Sequence, residues 1–143
     1  MAFKIKPKGL IKKSSPEIEN NDLKCNGVYA IVNTINNKHY VGSSSNLDRR
    51  IKTHKQHLEK GCHNNRKLQK DYDEYGLEAF EFKILEKCVE EDLLTAYEKY
   101  HMYVTDAIVM YKGYNEMMPT LNHKNFQEVC RRKKEVDLGE DNE

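Results

Sequence analysis

Long apolar runs are missing from this chain. No stretch approaches the roughly 20 residues needed to cross a bilayer. The opening MAFKIKPKGLIKKSS lacks the apolar core of a secretory signal, so neither export nor membrane insertion is expected. The four cysteines (Cys25, Cys62, Cys88, Cys130) lie far apart in sequence and form no CxxC pair, and the adjacent Cys62 and His63 are poorly spaced for a metal site. Reduced thiols in a cytoplasmic, reducing compartment are the expectation, in place of a disulfide framework. No internal repeat is present. Acids are scarce between positions 38 and 70, where nine Lys or Arg face only Asp48 and Glu59, net +7. That segment also holds four of the six histidines. Positions 71–98 reverse the sign, with ten acids against Lys83 and Lys87, net −8, so the overall charge of +1 conceals a strong asymmetry. A basic half of this kind suits a phosphate backbone. A solvated helix face balanced by an acidic neighbour gives the same pattern, and charge alone does not choose between them.

What is present is one domain's worth of residues, 143 in all, with 38% hydrophobic and 33% charged. The organising stretch is 27–42, GVYAIVNTINNKHYVG. It reads as two strands, 27–33 and 39–42, joined by a turn at Asn36-Asn37, residues that tolerate positive φ. An even-numbered loop centred on that pair would set Tyr40 opposite Asn33. Tyr29, Ile31, Asn33 and Tyr40 would then share one face. A loop one residue longer or shorter would part the two tyrosines.

Downstream, Ser43-Ser44-Ser45-Asn46 offers caps for a helix over 47–60 that stops at Gly61. Leu47, Ile51 and Leu58 form its core stripe. Arg50 and His54, four apart, share a face beside that stripe, while Arg49, Lys52 and Lys55 point outward. A second helix is expected over 65–75, with Leu68, Tyr72 and Tyr75 inward and Gly76 as its stop. Phe80, Phe82 and Ile84 alternate with Glu81 and Lys83, so 79–86 reads as a third strand. A third helix over 90–104 has acids in its first turn and Leu93, Leu94, Tyr97 and Tyr100 inward, with Glu98 at the border of that face. A last helix is expected over 122–135, followed by a disordered acidic tail, 139–143. The fold class is therefore α+β, a small three-stranded sheet flanked by helices in the order β-β-α-α-β-α. Its expected units are a flexible basic extension (1–24), a domain (25–118), and a C-terminal helix with its tail (119–143).

Gly27-Val28-Tyr29 and Tyr40-Val41-Gly42 resemble the paired signature of the GIY-YIG nuclease family. The run at 40–69, YVGSSSNLDRRIKTHKQHLEKGCHNNRKLQ, is similar to the nuclease domains of phage intron-encoded homing endonucleases, as are LLTAYE and GYN. The likeness covers roughly 26–116 and implies an antiparallel sheet and a divalent-metal-dependent DNA endonuclease. It implies a site of Tyr29 (in GVY), Tyr40 (in YVG), Arg50 and His54 (first helix), His63 (after GC), Glu98 (third helix) and Asn115 (closing GYN). Glu98 would hold one Mg2+ or Mn2+ ion, a hard cation suited to carboxylate oxygen and water. Tyr29 would be the base or position the water, with Tyr40 and His54 assisting or orienting the proton transfer. Arg50 would clamp the scissile phosphate and Asn115 would brace the site. Lys38, Arg49, Lys52, Lys55, Arg66 and Lys67 would dock the DNA. Taken singly, a strand tyrosine is ordinarily core and a helix arginine ordinarily surface; it is their joint occurrence in order that points to a site. Homing endonucleases of this family resemble two-part proteins with a DNA-binding region after the nuclease domain. Here about 25 residues follow Met118, which fits a freestanding nuclease, a truncated chain or a module guided by a protein partner. A non-catalytic nucleic-acid-binding module is the alternative, although a pure binder gains nothing from an acid beside the phosphate.

Overall fold

The computed structural model describes residues 23–109, 111–119 and 123–141. The extension expected over 1–24 lies outside them save Leu23 and Lys24, and Leu23 is buried in the core. Strands β1 (Gly27–Asn33), β2 (His39–Ser44) and β3 (Phe80–Lys87) form an antiparallel sheet in the order β2-β1-β3. β1 is central and buried along its whole length, which is why it reads as a continuous apolar run.

The hairpin register differs from the expected one. Tyr40 lies opposite Ile31, not Asn33. The loop is 34–37, closed by Asn33 N–H donating to Lys38 O (2.9 Å). Two side-chain turns set it: Asn33 Oδ1 accepts from Ile35 N–H and Asn36 Oδ1 from Lys38 N–H. Asn37 alone takes a positive φ, 61°. The turn is thus centred one residue earlier and the pairing slips by two. A slip of two preserves parity, so Tyr29, Ile31, Asn33 and Tyr40 do share a face.

Helix α1 (Leu47–Lys60) starts at Asn46, whose side chain accepts from Arg49 N–H, and ends at Gly61 with φ 77°. Helix α2 (Arg66–Tyr75) is capped by Asn65, which accepts from Leu68 N–H. Both cover the Tyr29 face of the sheet, where Leu47, Ile51, Leu58, Leu68, Phe80 and Tyr114 close the first core. On the opposite face Val28, Ala30, Val32 and Val41 meet α3 (Leu94–Val104) and α4 (His123–Asp141) through Leu93, Ala96, Tyr97, Met102 and Val129. The first turn of the expected third helix is a separate 3-10 turn, Glu91–Leu93. No side chain caps it, so its free amides are served by tight bonds such as Leu93 N–H to Glu90 O.

β3 contains a bulge opposite Val28 and Tyr29: Ile84 pairs with Tyr29 and Glu86 with Val28, leaving Leu85 extra. Leu85 packs in the second core, and Glu86 is turned to the same side, where it meets His101 of α3 and Lys133 of α4. Although burial pushes the Glu86 carboxyl up, hydrogen bonds from those two residues hold it below its usual range.

The tail expected to be disordered over 139–143 is helical through Asp141. Helix propagation adds one backbone bond per residue, and pairs such as Arg131 with Glu135 support it one turn apart.

Candidate active site

Tyr29 projects from central β1 across its partner Gly42 on β2. A Cβ at Gly42 would lie 2.3 Å from Tyr29 Oη and 2.6 Å from Cζ. The glycine of YVG therefore makes room for a buried phenol to cross the neighbouring strand. The ring ends at the outer edge of β2, where a cleft of about 340 Å3 opens, lined by Tyr29, Tyr40, Ser43, Arg50, Glu98 and Asn115 with an apolar wall of Met102, Met117 and Met118. Asn115 closes the edge itself. Its Oδ1 accepts from Val41 N–H (2.7 Å) and its Nδ2 donates to Val41 O (2.9 Å), as a further strand's peptide would. Residues 113–115 are thereby tied to β2, and Tyr114 N–H donates to His39 O alongside.

Arg50 lines the same cleft, where its guanidinium acts electrostatically on both phenols. Behind Tyr29 lies a chain of rings: Tyr29 Oη to His54 Nε2, 2.6 Å, then His54 Nδ1 to His63 Nε2, 2.7 Å. Burial, then the neighbouring Tyr40, pushes the Tyr29 phenol well up, against the pull of Arg50. Burial raises Tyr40 as well. Burial, followed by the charge of Arg50, holds His54 down at about 3, and burial lowers His63 too. At neutral pH both imidazoles are therefore uncharged and both phenols keep their protons.

Glu98 comes from the other side of the sheet. Burial raises its carboxyl, and Ser43 opposes the rise by donating from both hydroxyl and backbone. Ser43 pairs with Val28 on β2, so it points to the α3 face while Tyr40 points to the α1 face. The position of β2 as an outermost strand is what brings Tyr29, Tyr40 and Arg50 from one face together with Glu98 from the other.

Lys38, Arg49, Lys52, Lys55, Arg66 and Lys67 do not line this cleft. Lys52 pairs with Asp48, Lys55 covers the Phe82 ring at 5.0 Å, and Lys38 sits over Tyr114 at 5.9 Å. Arg66 borders a separate open hollow with Lys70 and Asp73. Three residues at the site were not singled out from sequence. Ser43 was findable, since it is two positions past Val41 and so shares the α3 face. Asn65 and Gln69, which brace His63 from two and six residues on, were not findable, because the irregular turn between α1 and α2 follows no periodic rule.

Among the described residues no three His, Cys, Asp or Glu side chains converge on a point. A lone carboxylate with open space beside it suits a hard cation that keeps most of its water, and magnesium or manganese fits that donor set. Among the same residues no helix is long and apolar enough to cross a membrane.

The sequence profile of the GIY-YIG catalytic domain matches residues 25–115, more than half of the chain. The chain belongs to the GIY-YIG family. Within it, this GIY-YIG chain is 41% identical over 90 residues to Intron-associated endonuclease 1 of Enterobacteria phage T4. It is 37% identical over 60 residues to Probable intron-encoded endonuclease 1 of Neurospora crassa. The matches take in 62% and 42% of this chain but only 36% and 18% of those proteins, so the chain spans about a third of the phage relative and less of the fungal one. Two structures of the catalytic domain of the intron endonuclease I-TevI, one a point mutant, superpose with a TM-score of 0.58. They are 38% and 39% identical to this chain; the match covers 68% and 64% of it and 98% of each of them. The GIY-YIG fold of this chain is thus the three-stranded antiparallel sheet with flanking helices described above.

Proposed function

We propose that the chain is a divalent-metal-dependent DNA endonuclease that hydrolyses phosphodiester bonds. The observation that carries this reading is the cleft itself. It sets a guanidinium, two phenols and a carboxylate around one open space, from four elements on both faces of the sheet. The relatives' printed names are those of intron endonucleases, which supports the same class.

In-line hydrolysis needs a placed water, positive charge on the phosphate and relief of the leaving oxygen. Arg50 supplies the charge, its planar fork matching two phosphate oxygens. Tyr29 positions the attacking water, and would accept its proton only after releasing its own to solvent in the cleft, an ionisation that burial opposes and the charge of Arg50 favours. Tyr40 and His54 orient that exchange, and Asn115 braces the strand from which Tyr40 projects. Glu98 would hold the cation, which when bound supplies Lewis acidity and charge neutralisation at the phosphate.

The test is plasmid nicking by the purified chain with Mg2+ or Mn2+, with and without EDTA. Nicking that EDTA abolishes is expected. Intact plasmid and intact single strands across pH 6 to 9 with either metal, alongside retained DNA binding, would turn the reading to a binding module.

A further inference from the structure

The ring chain behind Tyr29 has a direction. Asn65 N–H donates to His63 Nδ1 at 3.0 Å. A peptide N–H can only donate, so His63 Nδ1 carries a lone pair. His63 is neutral, so its one proton is on Nε2, and at 2.7 Å it donates to His54 Nδ1. His54, also neutral, then carries its proton on Nε2, which lies 2.6 Å from Tyr29 Oη. The phenol therefore accepts from His54 behind it, and its own proton is left to the cleft, which Arg50 also lines.

We propose that His54 and His63 serve the cleavage reaction as a one-way chain of hydrogen-bond donors anchored on the Asn65 amide, so that His54 is not the acceptor of the Tyr29 proton. For His54 to take that proton at Nε2, its present proton would have to sit on Nδ1, facing the His63 Nε2–H. His63 would then have to move its proton to Nδ1, where it meets the Asn65 N–H head on. Two donors would face each other in a buried place with no acceptor between them.

The anchor is held on three sides. Asn65 Oδ1 caps α2 at Leu68 N–H, and its Nδ2 donates to Tyr114 O at 2.6 Å. The His63 N–H donates to Gln69 Oε1, and Gln69 Nε2 in turn donates to Leu58 O. The two imidazoles are nearly coplanar, 22° between planes and 4.9 Å between centroids, and a flip of either ring would replace its hydrogen-bonding nitrogens by carbons. His54 and His63 are thus positioning residues that act on the attacking water through Tyr29.

The inference rests on the endonuclease reading for its role in cleavage, but its first test does not. Two-bond 1H–15N correlation spectra of the whole protein near neutral pH should show both rings as Nε2–H tautomers. A Nδ1–H tautomer or a cation at His54 would overturn the donor chain, whether or not the protein cuts DNA. The second test is cleavage by folded His54→Gln and His54→Leu variants. A glutamine amide reaches the Nε2 position and donates, yet takes no proton. His54→Gln should lose no more than about tenfold, and His54→Leu about 100-fold or more. If His54→Gln with an unchanged melting temperature falls as far as His54→Leu, His54 is acting as a base and the proposal is wrong. A parent protein that cuts nothing would sink the nuclease reading, while the spectra still decide the tautomers.

Discussion

At the scale of single residues, Glu98 makes the sharpest demand. Its carboxyl is raised by burial, so the ionised form costs stability in the fold. The contribution of such a group is present below its unfolded value and lost as pH rises through the folded one. Glu98→Gln should therefore melt at the parent temperature or slightly higher at neutral pH. Under the proposed assignment its cleavage should fall by orders of magnitude, while DNA affinity holds or tightens as one repulsive charge leaves. Glu91→Gln, an exposed acid at the start of the same region, is the control. A Glu98→Gln protein that cuts at the parent rate in magnesium would end the assignment. The carboxylate must be ionised to hold a cation, so cleavage should fade on acidification at a pH above the ordinary glutamate value of about 4.3. Ser43→Ala removes one of the bonds that oppose the rise, so the acid limb of its pH–rate profile should move to higher pH. An unmoved limb would separate Ser43 from the chemistry.

At the scale of elements, β2 is built around an empty space. Gly42→Ala drives a methyl into the Tyr29 phenol, which is 1% exposed and held in place by its bond to His54. The ring must tilt and loosen its bond to His54. We expect destabilisation of about 1–3 kcal/mol from overpacking. Cleavage should fall about 100-fold, since a displacement of about 1 Å suffices for that. Denaturation and cleavage rates on the same sample check both. The second element is α4, which lies beyond the family-matched residues 25–115. Its Val129 is fully buried against α3 and the sheet, and its Arg131, Arg132 and Lys133 are engaged by Glu128, Glu135, Glu90 and Glu86. Arg132 and Lys133 thus help dock the helix through Glu90 and Glu86, while the pairs of Arg131 lie within α4 itself. Val129→Ala should cost about 1–3 kcal/mol by chemical denaturation, whereas an undocked helix would leave the midpoint unchanged.

At the scale of the whole molecule, charge is segregated by sequence but dispersed in space. Of the basic residues in 38–70, only Arg50 lines the cleft. The others lie at the hairpin turn, along α1 and along α2. Under the proposed function these would hold a phosphate backbone without reading bases, so binding should be steeply salt-dependent and weakly sequence-selective. Affinity for duplex DNA should drop about 100-fold or more between 50 and 200 mM salt. A tight footprint on one long site at physiological salt would contradict that. Arg50→Ala should cost more cleavage than binding, and Lys52→Ala or Lys55→Ala the reverse.

The order of elements, the span of α1, the face shared by Tyr29 and Tyr40 and the pairing of Arg50 with His54 on one side of α1 were all legible in the chain. Each follows from a local rule: period two along a strand, period 3.6 along a helix, a cap at Asn46 and a stop at Gly61. Two side-chain turns moved the hairpin register by a pair of residues, which a turn-propensity reading of Asn36-Asn37 does not resolve. The third helix was read one turn too long for want of a side-chain cap, and the last was read too short. What no local rule reached is the meeting of the two sheet faces. Residues of opposite parity on β2 point away from each other, and sequence assigns Tyr40 and Ser43 to different cores. Only the end of the sheet at β2, where no further strand separates the two faces, lets Tyr29, Tyr40 and Arg50 face Glu98 across one cleft. The sense of the His63–His54–Tyr29 chain likewise depends on a backbone amide that acquires its position only when α2 docks.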